Sequence, residues 1–259
     1  MQTLEGVTGA ILAGGLGTRL KSVLADRPKV LAEVCGRPFL AYLLDQLCDA
    51  GVREVIVCTG YLAEQVRASI GTCHGAMRLV YSQEPCGLGT GGGLRLASPL
   101  IKTEHVLVLN GDSYCDASLH SFWEFHKSRN AEASVLLTKV DDPRRFGHID
   151  LDSTGRIRSF AEKPPQVTGA WINAGVYLLA TRLLATMPPD LPLSLEREAF
   201  PAWVARGRVF GFAANAAFLD IGTPSSYAEA APFFENLVKA GRRDTNKGPS
   251  ACPGTATVP

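Results

Sequence analysis

Long apolar runs and an excess of charge of either sign are both missing from this sequence. Its 259 residues carry 26 Lys plus Arg against 25 Asp plus Glu, a formal net charge of +1. That balance gives no basic surface for nucleic acid or an anionic membrane. No stretch approaches the roughly 20 apolar residues of a membrane helix, and the first residues lack the basic segment of a signal peptide. We therefore expect a soluble cytoplasmic protein without nucleic-acid or membrane partners.

Paired cysteines are missing as well. The seven cysteines are scattered along the chain, with no C-x-x-C pair and no accompanying histidine cluster. This pattern excludes the usual zinc sites. It is typical of reduced thiols in a cytosolic protein, several of which act as small core hydrophobes.

The first 140 residues alternate short apolar runs with amphipathic stretches. We predict strands over 9–12, 54–59, 77–82, 106–110 and 133–140, and helices over 39–50, 62–69, 92–97 and 119–129. In the first helix, Leu40, Leu43 and Leu44 follow the spacing of one helical face. Runs such as 54–59 (EVIVCT) suit strands that are buried on both sides. The alternation predicts an α/β fold with a mixed, mostly parallel central sheet.

The second half is richer in short strands, which we expect to complete the same sheet and to add a substrate-facing region. Strands are predicted over 146–151, 156–162, 172–179, 209–213 and 218–221, and helices over 195–205 and 224–239. Thr223 is suited to cap the last helix, with Pro224 at its first position. We expect one domain over residues 1–240 and a disordered tail over 241–259, where Gly, Pro, Ser and Thr dominate.

A glycine-rich segment, residues 13–20 (AGGLGTRL), directly follows the first predicted strand. Three glycines allow the backbone N–H groups to surround an anion. Thr18 adds a hydroxyl, and Arg19 adds a planar donor suited to phosphate oxygens. A tight strand-to-helix turn is the structural alternative, but the Thr-Arg pair and the Pro28-Lys29 pair that follows favour phosphate binding.

A second glycine-rich segment, residues 87–93 (GLGTGGG), matches G-x-G-x-x-G, and Asp112 follows about 20 residues after its last glycine. An NAD-binding oxidoreductase is therefore a competing interpretation. Residues 84–86 (EPC) argue against it, because they separate the predicted strand from the glycines.

Two aspartates stand at the ends of apolar runs. Asp112 ends the run 107–112 (LVLNGD), and Asp220 lies in 218–224 (FLDIGTP). Such residues are often only turn formers or helix caps, yet two carboxylates at neighbouring strand ends are also how Mg²⁺ is held together with phosphates. Glu162 and Lys163 precede a proline, and they form either a solvated surface pair or a contact to a sugar phosphate.

Taken together, these segments resemble the sugar-phosphate nucleotidyltransferase family. The resemblance extends from Ala10 to about Ala230, and the segments occur in the family's order: 14–20, 28–29, 84–92, 110–112, 146–147, 162–164, 173–175 and 220–224. It implies a three-layer Rossmann-like fold. Residues 15–22 are most similar to the guanylyltransferases of D-glycero-D-manno-heptose 1-phosphate. Val30, where many relatives have a second proline, and the segment after Gly241 depart from the pattern.

The resemblance also implies a role for individual residues. Nucleotide contacts are implied for Leu12, Ala13, Gly14, Gly15, Gly17, Thr18, Arg19, Lys29, Glu84, Gly89 and Thr90, with Glu84, Gly89 and Thr90 facing the base. Sugar-phosphate contacts are implied for Gly147, Glu162, Lys163, Asn173 and Gly175. Catalysis is implied for Arg19, Lys29 and Asp112, and Mg²⁺ binding for Asp112 and Asp220.

The implied reaction joins a nucleoside triphosphate to a sugar 1-phosphate and releases pyrophosphate, as a supply for cell-surface polysaccharide synthesis. GTP and D-glycero-α-D-manno-heptose 1-phosphate are the favoured substrates. Three alternatives stay open: mannose 1-phosphate as the acceptor, a reaction with UTP or CTP, and a non-catalytic homologue that binds a sugar nucleotide. A homo-oligomer is compatible with the sequence, since soluble enzymes commonly form one.

Overall fold

The computed structural model describes residues 3–24, 27–140, 142–143, 146–162, 171–189 and 192–241. The strands in these ranges are β1 (Val7–Ala13), β2 (Glu33–Val34), β3 (Arg37–Pro38), β4 (Glu54–Thr59), β5 (Cys73–His74), β6 (Met77–Gln83), β7 (His105–Asn110), β8 (Ser113–Cys115), β9 (Ala133–Thr138), β10 (Gly147–Leu151), β11 (Ile157–Glu162), β12 (Trp171–Ala180), β13 (Val209–Ala213) and β14 (Phe218–Asp220). The helices are α1 (Lys21–Leu24), α2 (Phe39–Asp49), α3 (Ala63–Ile70), α4 (Gly89–Ala97), α5 (Leu119–Ser128), α6 (Phe200–Arg206), α7 (Pro224–Ala228) and α8 (Ala230–Lys239).

Ten of the described strands form one mixed sheet. Its main path has the order β11-β10-β12-β7-β1-β4-β6-β5, and β9 and β13 extend it from β12. The central pairs β7/β1, β1/β4 and β4/β6 are parallel, whereas β12 runs antiparallel to β7 and to β9. The second half of the chain thus completes the sheet begun by the first half. The predicted mixed, mostly parallel central sheet is confirmed.

Helices cover both faces of this sheet, because successive strand residues point to opposite sides. On β1, Ile11 belongs to a buried cluster with residues of α2 and α8. Its neighbour Ala10 belongs to a second cluster with residues of α4 and α6. The sheet therefore lies between two helical layers, as the three-layer prediction requires.

Two helix predictions are wrong in detail, and proline is the physical reason for both. The helix predicted over 224–239 is two helices, α7 and α8, that meet at Glu229. Pro232 has no N–H to donate to the carbonyl of Ala228, so a continuous helix would lose a hydrogen bond there. The helix predicted over 195–205 begins instead as a π-helical turn, Leu195–Ala199, ahead of Pro201 and α6.

The beginning of the last helix pair agrees with the sequence. The Thr223 side chain accepts a hydrogen bond from the Ser226 N–H, and the Ser226 side chain accepts one from the Thr223 N–H. This reciprocal capping box, with Pro224 in the first turn, fixes the start of α7. The helix predicted over 92–97 starts earlier, at Gly89. The domain boundary at residue 240 stays a prediction, since the predicted disordered tail lies outside the described ranges after Gly241.

Cys35, Cys58, Cys86 and Cys115 are free thiols. Cys73 is disulfide-bonded, so the expectation of reduced thiols throughout is wrong at that position. Among the described residues, no group of three or more His, Cys, Asp or Glu side chains is placed to hold a metal. None of the helices in these ranges combines the length and the apolar character needed to cross a bilayer.

Candidate functional site

A cavity of about 330 Å³ lies where the central parallel strands end. The carboxyl ends of parallel strands meet at one edge of an α/β sheet, which is where such folds bind ligands. Nine of the residues assigned from the sequence line this cavity: Leu12, Ala13, Gly14, Gly15, Lys29, Glu84, Gly89, Thr90 and Asp112. Residues that follow β1, β6 and β7 are thereby brought together from three separate segments of the chain.

The first glycine-rich segment follows β1, and no helix begins directly after the strand. Residues 14–17 are extended loop, and a short 3₁₀ turn, Thr18–Leu20, follows. Gly17 has a φ of +58°, and a Cβ at this position would lie 3.3 Å from the Lys29 Cβ. The backbone at Gly17 therefore packs directly against the residue that carries the lysine. Thr18 and Arg19 are exposed beside this loop.

The second glycine-rich segment does not form a dinucleotide-binding turn. Strand β6 ends at Gln83 and α4 begins at Gly89, so a five-residue loop separates them. The fingerprint of NAD sites requires a direct strand-to-helix turn. The N-terminal residues of α4, Gly89 and Thr90, line the cavity instead.

Lys29 and Asp112 form an ion pair at the cavity wall. Lys29 Nζ lies 2.5 Å from Asp112 Oδ2, and the two side chains are 11% and 35% exposed. Lys29 follows Pro28 at the start of a 3₁₀ turn. Asp112 follows β7 in a turn that is fixed to β1, since the Gly111 N–H donates to the Leu12 carbonyl at 3.0 Å. A cation and a carboxylate thus meet beside the first glycine-rich segment.

Asp220 is held next to Asp112 by a small second sheet. Strand β14 pairs antiparallel with β8, and Asp220 lies opposite Ser113, the residue after Asp112. The Ile221 N–H also donates to the Asp112 carbonyl at 2.9 Å. Two carboxylates on adjacent backbones fit a hard dication that takes further oxygen ligands from phosphates and water, as Mg²⁺ does. The donor set therefore suits the predicted metal.

Glu84 lies inside the cavity rather than on the surface. Its Oε2 accepts a hydrogen bond of 2.9 Å from the Leu88 N–H. Its Oε1 accepts none from the described part of the chain and packs against Gly14 and Gly60, where any Cβ would collide with the carboxylate. Burial raises the pKa of Glu84, and the Leu88 N–H partly opposes that shift. The result is a half-buried carboxylate in the cavity wall.

The wall beside Glu84 is apolar. Cys58 lines the cavity, and its pKa is raised to about 12 by burial and by the charge of Glu84. The thiol is therefore neutral at physiological pH and acts as a small apolar side chain. Leu12 and Leu96 also line this cavity, a composition that suits a planar base with a few polar contacts.

The predicted sugar side is built on β12. Asn173 Oδ1 accepts a hydrogen bond from the Gly175 N–H at 2.9 Å, and its Nδ2 donates to the Tyr177 hydroxyl at 2.8 Å. Gly175 has a φ of +72°, and a Cβ there would lie 2.9 Å from Asn110 Nδ2. Glycine is therefore needed at this position both for its backbone angle and for the space that Asn110 fills.

The remaining predicted sugar contacts are only partly described. Gly147 begins β10, opposite Glu162 at the end of β11. The neighbouring pair His148 and Ile172 links β10 to β12, so this hairpin adjoins the strand that carries Asn173. The side chain of Glu162 and all of Lys163 lie outside the described residues, and their assignment stays a prediction.

Three residues of this region were not assigned from the sequence. Asn110 lines the cavity, and its buried Oδ1 has no hydrogen-bond partner among the described residues. Tyr177 is fully buried, and its hydroxyl donates to Glu196 at 3.0 Å. Asn110 stands in the motif already singled out, next to Asp112. Tyr177 and Glu196 carry no local sequence signal, because only the fold brings Glu196 beside Thr90 of the cavity and Tyr177 beside Glu196.

Comparison with curated proteins identifies relatives over most of the chain. The catalytic subunit beta of mannose-1-phosphate guanylyltransferase from Drosophila pseudoobscura pseudoobscura is 34% identical over 227 residues, 86% of this chain and 61% of the relative. Mannose-1-phosphate guanylyltransferase from Mycobacterium tuberculosis is 33% identical over 224 residues, 85% of this chain and 62% of the relative. The chain thus spans about three fifths of the length of these relatives.

A solved structure and a family model agree with these relatives. The crystal structure of HddC from Yersinia pseudotuberculosis has a TM-score of 0.78 and 34% identity, covering 88% of this chain and 99% of HddC. HddC has also been solved in complex with GMP-PN, at the same level of similarity. The resemblance that the motifs suggested is therefore confirmed. The nucleotidyl transferase family model matches residues 8–236, and the chain belongs to this family.

Proposed function

We propose that this protein transfers a guanylyl group from GTP to a sugar 1-phosphate, with D-glycero-α-D-manno-heptose 1-phosphate as the favoured acceptor. The observation that carries the proposal is the Lys29–Asp112 pair beside the first glycine-rich segment, with Asp220 on the adjoining strand. This arrangement supports a site in which a cation on the cavity wall meets phosphate, while Asp112 shares a metal with Asp220. Phosphoryl-type transfer needs both groups together.

The reaction requires charge control more than proton transfer. An oxygen of the sugar 1-phosphate attacks the α-phosphorus in line, the bond between the α-phosphorus and its bridging oxygen breaks, and pyrophosphate leaves. The attacking oxygen is already an anion, so no general base is needed. The protein must bring two polyanions together and stabilise the charge on the α-phosphate and on the leaving group. Positioning and electrostatics therefore supply the catalysis.

Each group in the cavity then has a role. Residues 13–18 hold the nucleotide through their backbone, Arg19 binds the leaving pyrophosphate end, and Lys29 neutralises the α-phosphate. Asp112 and Asp220 would hold magnesium, which supplies positive charge to the phosphates when bound. With substrate bound, Lys29 would bind phosphate in place of Asp112, whose carboxylate would then be available to hold the metal. The ion pair keeps both charges compensated until then.

The choice of base and sugar has separate support. Guanine is favoured by the carboxylate of Glu84 in the cavity wall and by the similarity to HddC, which has been solved in complex with GMP-PN. The heptose is favoured by the motif resemblance over residues 15–22. Mannose 1-phosphate is the second candidate acceptor, because the Drosophila and Mycobacterium relatives are mannose-1-phosphate guanylyltransferases.

A substrate screen tests the proposal directly. We expect the purified chain with Mg²⁺ to release pyrophosphate fastest from GTP together with the manno-configured heptose 1-phosphate. Four nucleoside triphosphates would be combined with heptose, mannose and glucose 1-phosphates, and kcat/KM measured for each pair. A preference for mannose 1-phosphate would replace heptose 1-phosphate as the assigned acceptor, and the assigned reaction would stand. Absence of pyrophosphate release with every pair would overturn the proposed function.

Arg19 and Lys163 are expected to act on opposite substrates. Arg19→Ala should raise the KM for GTP about tenfold, and Lys163→Ala should raise the KM for the sugar phosphate by a similar factor, each through loss of one charge-assisted hydrogen bond. Each KM is measured at saturating concentration of the other substrate. Arg27→Ala, which removes an exposed cation outside the cavity, is the control. If both variants raised the same KM equally, the assignment to separate substrates would be wrong.

A further inference from the structure

A distant segment, residues 193–196, holds the second glycine-rich segment in place. The Leu193 N–H donates to the Leu88 carbonyl at 2.8 Å, and the Leu193 carbonyl accepts from the N–H groups of Gly91 and Gly92 at 2.8 and 3.2 Å. A Cβ at Gly89 would lie only 2.6 Å from the Leu193 carbonyl oxygen. The glycines of this segment are therefore needed for the close approach of another part of the chain.

Glu196 lies in the π-helical turn that follows, and its carboxylate accepts hydrogen bonds from three hydroxyl groups. Its Oε2 accepts from Thr90 Oγ at 2.7 Å and from Ser194 Oγ at 3.0 Å. Its Oε1 accepts from the Tyr177 hydroxyl at 3.0 Å. One carboxylate thus connects Thr90, which lines the nucleotide side of the cavity, with Tyr177 on β12. Residues of π-helical turns often occur at functional sites.

The direction of these hydrogen bonds is fixed. Thr90 Oγ accepts from the Leu195 N–H at 2.9 Å, so its single proton points to Glu196. The Tyr177 hydroxyl accepts from Asn173 Nδ2 at 2.8 Å and donates to Glu196. Burial, with the charge of Glu196 next, raises the pKa of Tyr177 far above its usual value, so the phenol keeps its proton. The Thr90 and Tyr177 hydroxyls therefore both donate to residue 196, which must accept a hydrogen bond at each of its two side-chain oxygens.

We propose that Glu196 is a positioning residue that couples the two substrate sites. Through Thr90 it fixes the start of α4 against the nucleotide, and through Tyr177 it fixes the amide of Asn173 toward the sugar. Asn110, which lines the cavity, has a buried Oδ1 without a partner among the described residues, so this oxygen is available to a ligand hydroxyl. The inference rests on the proposed reaction and adds to it a residue that organises both halves of the cavity.

Glu196→Gln tests the proposal with a side chain of the same shape. The amide nitrogen would face one of the two hydroxyls, of Thr90 or Tyr177, which would lose its acceptor. The other hydroxyl would meet a neutral amide oxygen, a weaker acceptor than a carboxylate, so both branches are weakened. We expect the KM for GTP and the KM for the sugar phosphate each to rise about tenfold, the size of one hydrogen bond to a charged group. Tyr177→Phe removes only the branch toward β12, so it should raise the KM for the sugar phosphate and leave that for GTP unchanged.

Glu198→Gln is the matched control, since Glu198 lies exposed in the same turn and outside the cavity. Its KM values should equal those of the wild type, with a melting temperature similar to that of Glu196→Gln. Unchanged KM values in Glu196→Gln, with only a lower melting temperature, would mean a structural role and overturn the proposal. If the wild type released no pyrophosphate, the reaction itself would be wrong. Calorimetric titration with GTP would then decide this inference, and equal Kd values for wild type and Glu196→Gln would overturn it.

Discussion

Asp112→Asn and Asp220→Asn are each expected to lower kcat about 10²–10³-fold, the cost of one preorganised transition-state contact. Both substitutions keep the shape of the side chain and remove its charge. A carboxamide is a much weaker ligand for a hard dication than a carboxylate. Because Asp220 pairs with Ser113, the residue after Asp112, and both carboxylates are proposed to hold one metal, each variant should lose most of the same activity.

The two variants should differ in one respect. Asp112→Asn also removes the partner of Lys29, which is only 11% exposed, whereas Asp220→Asn leaves the Lys29–Asp112 pair intact. An ammonium group that loses its carboxylate is poorly compensated where water has limited access. We therefore expect a lower melting temperature for Asp112→Asn than for Asp220→Asn, while both lose activity to a similar extent.

The measurement is kcat at saturating GTP and sugar phosphate, over a titration of Mg²⁺. Asp116→Asn is the matched control, because Asp116 follows β8 and does not line the cavity. It should retain turnover close to that of the wild type. Near-normal kcat of either cavity variant at high Mg²⁺ would remove that aspartate from the proposed metal site.

Hydrophobic pattern was sufficient to predict the central sheet. The run 54–59 (EVIVCT) suited a strand buried on both faces, and it forms β4 with the predicted bounds. Strand β14 lies within the predicted run 218–221, but its partner β8, only three residues long, was not predicted. The pairing of these two short strands depends on the fold around them. The helix breaks ahead of Pro201 and Pro232 were missed, although proline lacks the N–H that a continuous helix needs.

Some site residues could likewise be predicted from local motifs, whereas others are brought to the site only by the fold. Lys29 and Asp112 stand in motifs that carry their chemistry, and the fold brings them to within 2.5 Å of each other. Glu196 is different, because its neighbours in the sequence are ordinary helix residues. Its role depends on contacts with Thr90 and Tyr177, which lie 106 and 19 residues away. Spacing along the chain contains no information on such contacts.

Glu84→Gln is expected to reduce the preference for GTP over UTP about 100-fold. Guanine presents two donors on one edge, N1–H and the exocyclic amine, and a carboxylate can accept from both. Uracil offers a donor beside an acceptor, which a carboxamide matches better. A buried polar group left without its partner accounts for discrimination of this size. Gly14 and Gly60 leave room for the carboxylate in the cavity wall, since a Cβ at either position would overlap it.

The test compares kcat/KM for GTP and UTP in the wild type, in Glu84→Gln and in a control, Gln83→Ala, whose side chain is exposed next to Glu84. The control should keep the wild-type ratio. Lowering the pH should reduce the preference for GTP over UTP as the substitution does, because a protonated Glu84 no longer accepts from both guanine donors. Burial raises the pKa of Glu84, so the preference should begin to fall at a higher pH than an ordinary glutamate would give. A GTP to UTP ratio that is unchanged in Glu84→Gln would place base recognition elsewhere in the cavity, and a wild type that prefers UTP would exclude guanine as the base.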